Sequence, residues 1–141
     1  MKQVLFAASA VLAMAAGAAP ALAQSVATTT AAVNLRTGPD FAYPPAIVLP
    51  AGVPVTVYGC LQGWLWCDVS WGPHRGWVYG SYLTAMWQNR PTPWAYYAPR
   101  YNVPILTFNF GGYWDTHYRG RNWYRHRDRW DRWDYGHRRW R

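Results

Sequence analysis

The residues of this chain that can do covalent chemistry are few: Cys60 and Cys67, four histidines, and six carboxylates that are all aspartate, with no glutamate. Cys60 and His74 have the types of a nucleophile and its base, where imidazole takes the thiol proton as sulfur attacks a carbonyl. No third group is evident to orient that histidine, and a disulfide between Cys60 and Cys67 would remove the nucleophile. Glycan hydrolysis needs two acids flanking one bond, and between residues 33 and 85 only Asp40 and Asp68 are available. The cysteines do not have CxxC redox spacing and lack histidines in a zinc pattern, and His117, His126 and His137 lack tight metal-site spacing. The sequence therefore predicts no catalysis, no metal and no cofactor.

What the chain has in quantity is aromatic surface: eleven tryptophans and eleven tyrosines. Flat rings with a few polar groups make a binding groove at low entropic cost. Tyr43, Trp64, Trp66, Trp71, Trp77, Tyr79 and Tyr82 are candidates, each with core packing as its alternative; packing is favoured for Trp66 and Trp77. Arg36 alternates with Leu35 and either meets a ligand carboxylate or, the favoured reading, clamps Asp40 or Asp68.

The elements that must position these residues begin after the N-terminus. Lys2, the apolar run Val4 to Ala19 and the small-x-small site Ala21-Leu22-Ala23 predict a secretory signal peptide, residues 1–23, cleaved near Ala23. The product is expected in the periplasm or secreted, with no cysteine placed for a lipid anchor. Residues 24–141 hold thirteen arginines and six aspartates, net +7 with histidine neutral, which suits anionic partners. Export makes nucleic acid an unexpected one.

Residues 24–32 are small and polar and read as a flexible lead-in. From Val33 the texture is short β runs punctuated by Gly and Pro. Val53, Val55 and Val57 share one face by period two, and Leu65, Cys67, Val69 and Trp71 share one face of the next run. The turn Leu61-Gln-Gly-Trp64 joins the runs carrying the cysteines, placing the sulfurs across a hairpin. In an oxidising compartment a disulfide is the favoured reading, with a reactive thiol pair or two unpaired thiols as alternatives.

The order Asn34-Leu-Arg-Thr-Gly-Pro39, Leu49-Pro-Ala-Gly52, Val55-Thr-Val-Tyr-Gly-Cys60, Trp66-Cys-Asp-Val69, Gly76-Trp-Val78 and Tyr82-Leu83 resembles the bacterial SH3 domain (SH3b, or SH3-like). The resemblance covers residues 33–85. It implies an all-β domain, a small barrel of five to six short strands, and a role in binding cell-wall peptides or protein partners without catalysis in the module. Most matching residues are structural: Gly38 and Pro39 suit a turn, Gly52 a corner, and Gly76 a place where a side chain would intrude.

Residues 86–110 are rich in proline and aromatics and are expected to run extended along the barrel or to fill its groove. Residues 111–141 carry nine arginines and four aspartates. As a helix after Gly120, Trp123, His126, Trp130, Trp133, His137 and Trp140 share a face. One reading is an interfacial anchor, with Trp130 and Trp133 at a headgroup boundary and Arg125, Arg129 and Arg132 on phosphates. The other is a short helix packed on the barrel, or a disordered basic tail. Three functions are therefore carried forward: an exported module recognising peptidoglycan peptide or an envelope protein, attachment of the tail to an anionic lipid or glycan surface with the barrel as carrier, and a structural or assembly factor with no small ligand.

Overall fold

The structure is a computed structural model that describes Gly17 and residues 24–137. The expected signal peptide, apart from Gly17, and Trp140 lie outside the described residues. Strands β1 (Ser25–Thr29), β2 (Val33–Arg36), β3 (Pro45–Leu49), β4 (Pro54–Cys60), β5 (Trp66–Trp71), β6 (His74–Tyr79), β7 (Leu83–Trp87) and β8 (Arg90–Pro93) form one antiparallel sheet. Their order is β3-β2-β6-β5-β4-β1-β7-β8. Helices α1 (Trp94–Tyr97), α2 (Phe110–His117) and α3 (Arg127–His137) follow.

The sheet has more strands than the five or six expected, and it is open, with β3 and β8 as its edges. Pro45 lies on one edge and Pro91 and Pro93 on the other, and prolines withhold the N–H groups a further strand would need. Two additions account for the count. The β7–β8 hairpin extends the sheet, and β1 occupies what was expected to be a flexible lead-in. Ala27 and Thr29 of β1 are buried, and the strand pairs with both β4 and β7. Thr29 Oγ1 donates to the Pro50 carbonyl at 2.7 Å and accepts from the Val53 amide at 3.0 Å, so a small polar residue locks the strand in place.

Period-two alternation sends Leu35, Val55, Val57, Cys67, Val69 and Val78 into one core. Val53 packs at its margin, as its shared face with Val55 and Val57 anticipated. Cys60 and Cys67 are cross-strand partners joined as a disulfide with an S–S distance of 2.03 Å. Trp94 of α1 is fully buried against it and donates its Nε1–H to Cys60 Sγ at 3.2 Å. Residues 86–110 therefore do not simply run extended: they finish the sheet, then fold back as α1 to close this core with Trp94, Ala98 and Val103. The chain next passes beside β4, where the Cys60 amide donates to the Pro104 carbonyl and the Leu106 amide to the Cys60 carbonyl.

Gly76 is required by close approach. A Cβ there would sit 2.6 Å from the Arg36 carbonyl oxygen on β2, as the sequence anticipated. A Cβ on Gly38 would lie 2.5 Å from the Tyr43 ring, which is how the loop between β2 and β3 can tuck that ring inward.

The tail forms a second core. Asn109 caps α2 by accepting from the Gly112 amide at 2.8 Å, satisfying a donor the first helical turn leaves free. Phe110, Trp114 and Tyr118 are buried with Tyr43, and Trp123, Trp130 and Trp133 pack around them. A 3-10 turn, Asn122–His126, replaces the first part of the helix expected after Gly120, so α3 starts only at Arg127. Asp115 ties the tail's parts together, accepting from Tyr124 Oη at 2.5 Å and Arg127 Nε at 2.8 Å. Those two hydrogen bonds, Tyr124 first, hold its carboxyl below the usual carboxylate range.

Candidate binding surface

The outward faces of β5 and β6 carry one continuous strip. The register pairs Trp66 with Tyr79, Asp68 with Trp77, and Ser70 with Arg75, so three successive outward-facing rungs run aromatic, mixed and polar. The tail covers the lower rungs and leaves the first one open.

At the covered end Asp68 is 4% exposed and takes a two-pronged ion pair from Arg75, Nε to Oδ1 and Nη2 to Oδ2, each 2.7 Å. Tyr113 Oη adds a third hydrogen bond to Oδ1 at 2.7 Å. The Arg75 guanidinium lies 3.4 Å from the centre of the Tyr58 ring, and Tyr118 Oη donates to the Arg75 carbonyl at 2.9 Å. Burial opposes the charge on Arg75, but the hydrogen bonds and attraction of Asp68 outweigh it and the net shift is upward. Burial pushes the Tyr113 phenol well above its ordinary value and raises Tyr118 as well. Burial, and then the Arg75 charge, holds His117 below the ordinary histidine value. Trp77 is buried beneath Phe108 and Tyr113, and its Nε1–H has no partner among the described residues.

At the open end Phe41, Trp66 and Tyr79 form a triangle with ring centres 4.9–5.3 Å apart, and Tyr82 joins it 6.3 Å from Tyr79. With Asn34 and Arg36 they line a pocket of about 130 Å³. The Arg36 guanidinium lies 5.6 Å from the centre of the Phe41 ring and donates from Nη1 to the Tyr43 carbonyl at 2.8 Å. No residue of the 86–110 segment lines this pocket.

The structure thus brings Arg36, Trp66, Tyr79 and Tyr82 together, Trp66 packed as its favoured reading had it, and sets Tyr43, Trp64, Trp71 and Trp77 apart. Tyr43 and Trp77 are core residues, 0% and 1% exposed, because the tail packs over them. Trp64 packs against the sheet core from the 3-10 turn Gln62–Trp64. Arg36 clamps a backbone carbonyl, not Asp40 or Asp68: Asp68 belongs to Arg75, and Asp40 accepts from the Ala42 amide at 2.8 Å within its own turn. In the tail Trp130 and Trp133 lie 5.5 and 5.0 Å from the Tyr43 ring, which gives their indoles a protein partner where an interfacial anchor would need lipid. Arg125, Arg129 and Arg132 are exposed. Sequence reasoning missed Phe41, which is 57% exposed in a loop without periodicity. No periodic signal marks it: a spacing of two would put Phe41 and Tyr43 on one face of a strand, whereas the turn sends one ring to the pocket and the other to the tail.

An open antiparallel sheet with a disulfide-tied hairpin, a shallow aromatic pocket on its outer face and both of its acids held in structural contacts defines a small binding domain. The family model for the bacterial SH3 domain matches residues 31–84. That stretch is similar to the bacterial SH3 domain; such domains are binding modules, generally non-catalytic and often associated with the cell wall. No curated protein and no solved structure gives a significant match to this chain.

Proposed function

We propose that the protein is an exported binding module that holds a segment of cell-envelope material, a peptidoglycan peptide or an envelope protein, in the pocket of Phe41, Trp66, Tyr79 and Tyr82. The observation that carries this reading is that the tail covers the rest of the strip and leaves this pocket uncovered, with Phe41 and Tyr82 exposed at its rim, Tyr79 half-buried and Trp66 forming its buried floor. Aromatic faces supply contact area, and Arg36 commits one N–H to the Tyr43 carbonyl, leaving other donors of its fork for a carboxylate or peptide carbonyl. The signal-peptide pattern and the disulfide both support an oxidising, extracytoplasmic location. No helix among the described residues is long and apolar enough to cross a membrane.

The test is co-sedimentation of residues 24–141 with purified sacculi. The wild type is expected to pellet, and the double variant Phe41→Ala/Tyr82→Ala, which alters two exposed rings, to bind at least about tenfold more weakly. Absence of pelleting at low and high salt would eliminate the peptidoglycan version. The exposed Arg125, Arg129 and Arg132 support a weaker second reading, charge-driven attachment to anionic lipid, which loss of vesicle binding on raising salt would reveal.

A further inference from the structure

Docking of the tail creates a second cleft that shares no lining residue with the Phe41 pocket. It has a volume of about 270 Å³ and lies between the β2–β3 loop, which supplies Pro44 and Pro45, and the indoles of Trp114, Trp123 and Trp130. We infer that this cleft binds a sugar ring bearing a carboxylate, stacked on the indoles with its acid on Arg129.

The walls are already built. Trp114 is fully buried and fixed by donating Nε1–H to the Thr37 carbonyl at 2.9 Å, and Trp123 stands edge-on to it at 5.3 Å. Trp123 and Trp130 are half-buried, so ring surface is left for a ligand at little ordering cost. Indole faces carry negative π density and attract the polarised C–H groups of a pyranose face, while an opening to solvent lets the hydroxyls stay hydrated. Among the described residues the one hydroxyl in the lining, on Thr37, is already committed to the Pro44 carbonyl at 3.0 Å. The cleft therefore suits a ligand that stacks, not one that must bury several hydroxyls. Its volume is just below the range of about 300–1,000 Å³ typical of small-molecule sites, which fits one or two rings.

The charge comes from the rim. Among the described residues, Arg129 and His126 are the ionisable side chains of the lining, both are exposed, and no carboxylate lines the cleft. Arg129 makes no ion pair among the described residues. One planar guanidinium matches a carboxylate in a two-pronged fit, whereas a phosphate site usually gathers several cations.

The test uses residues 24–141 titrated with trigalacturonate, with neutral galactotriose as comparator, followed by the tryptophan indole N–H signals in proton–nitrogen correlation spectra. Saturable shifts are expected with the acidic trisaccharide, and affinity about tenfold lower in Arg129→Gln, equivalent to about 1.4 kcal/mol. Arg129→Lys keeps the charge without the fork and should fall between the two. Arg132→Gln, an exposed arginine of the same helix outside the lining, should bind as wild type. Dispersed spectra confirm that each variant is folded. No shifts at millimolar ligand, equal response to the two trisaccharides, or wild-type affinity in Arg129→Gln would each overturn the inference.

Discussion

Trp77 and Tyr79 face the same way from β6, two residues apart, yet Trp77 is 1% exposed while Tyr79 borders an open pocket. Their partners on β5 are both buried but under different covers: Asp68 opposite Trp77 is sealed by Tyr113 of the tail, and Trp66 opposite Tyr79 packs under Phe41 of the β2–β3 loop. Nothing in the sheet accounts for the difference. It comes from the tail, whose rings and hydroxyls cover one half of the strip and stop short of the other. A bacterial SH3 domain without this tail would present both halves to solvent, so the extension selects which part of the face remains available.

The largest expected effect comes from removing the cover's central ring. Trp114→Ala should destabilise by about 3–5 kcal/mol in denaturant titration, because it empties the second core and frees the Thr37 carbonyl. If the halves are energetically independent, that loss will appear as a separate early transition, with the sheet core melting where the wild type does. A single shifted transition would show that cover and sheet unfold together.

Cys60→Ser/Cys67→Ser acts on the other side of the comparison. Removing the bridge should cost about 2–3 kcal/mol by the loop-closure estimate for so short a loop. It should loosen the sheet core, where Trp94 donates to Cys60 Sγ, more than the tail. Hydrogen exchange of indole N–H groups distinguishes the two regions.

Tyr43→Phe is smaller. Tyr43 Oη donates to Asp134 Oδ1 at 2.6 Å in a buried site, and deleting the hydroxyl withdraws that donor from a carboxylate 1% exposed. A loss of about 1–3 kcal/mol is expected, with binding at the Phe41 pocket unchanged.

The smallest effect is with pH. The folded protein holds His117 below its ordinary value of 6.5, so the unfolded chain takes up that proton more readily. The contribution of His117 to stability is therefore fully present above pH 6.5 and is lost as pH falls below it. Asp115, lowered from 3.8, adds a further loss in stronger acid. His117→Asn should flatten the first decline in a series of thermal melts and leave the second.

The strands from Val33 to Leu83 were legible because alternating valines, turn glycines and paired cysteines all point to one pattern. β1 was not, because Ser-Val-Ala-Thr-Thr lacks bulk and its partners β4 and β7 lie far along the chain. The role of Trp130 and Trp133 was undecidable from spacing, since an amphipathic helix has the same periodicity whether its aromatic face meets lipid or protein. Tyr43 was misplaced because a loop ring has no face until something packs on it. Of the open pocket, Arg36, Tyr79 and Tyr82 were readable, while Phe41 needed the course of the loop.

The bond between Tyr43 and Asp134 joins residues 91 positions apart, and the one between Trp114 and Thr37 spans 77. A ribosome adding about 5–20 residues per second needs roughly five to twenty seconds to pass from the first member of the longer pair to the second. Within that interval the sheet strands are made before their cover, and until Phe108 and Tyr113 follow, Trp77 has nothing from the tail over it. The distinction between the two halves therefore exists only once residues from the far end of the chain have joined the sheet.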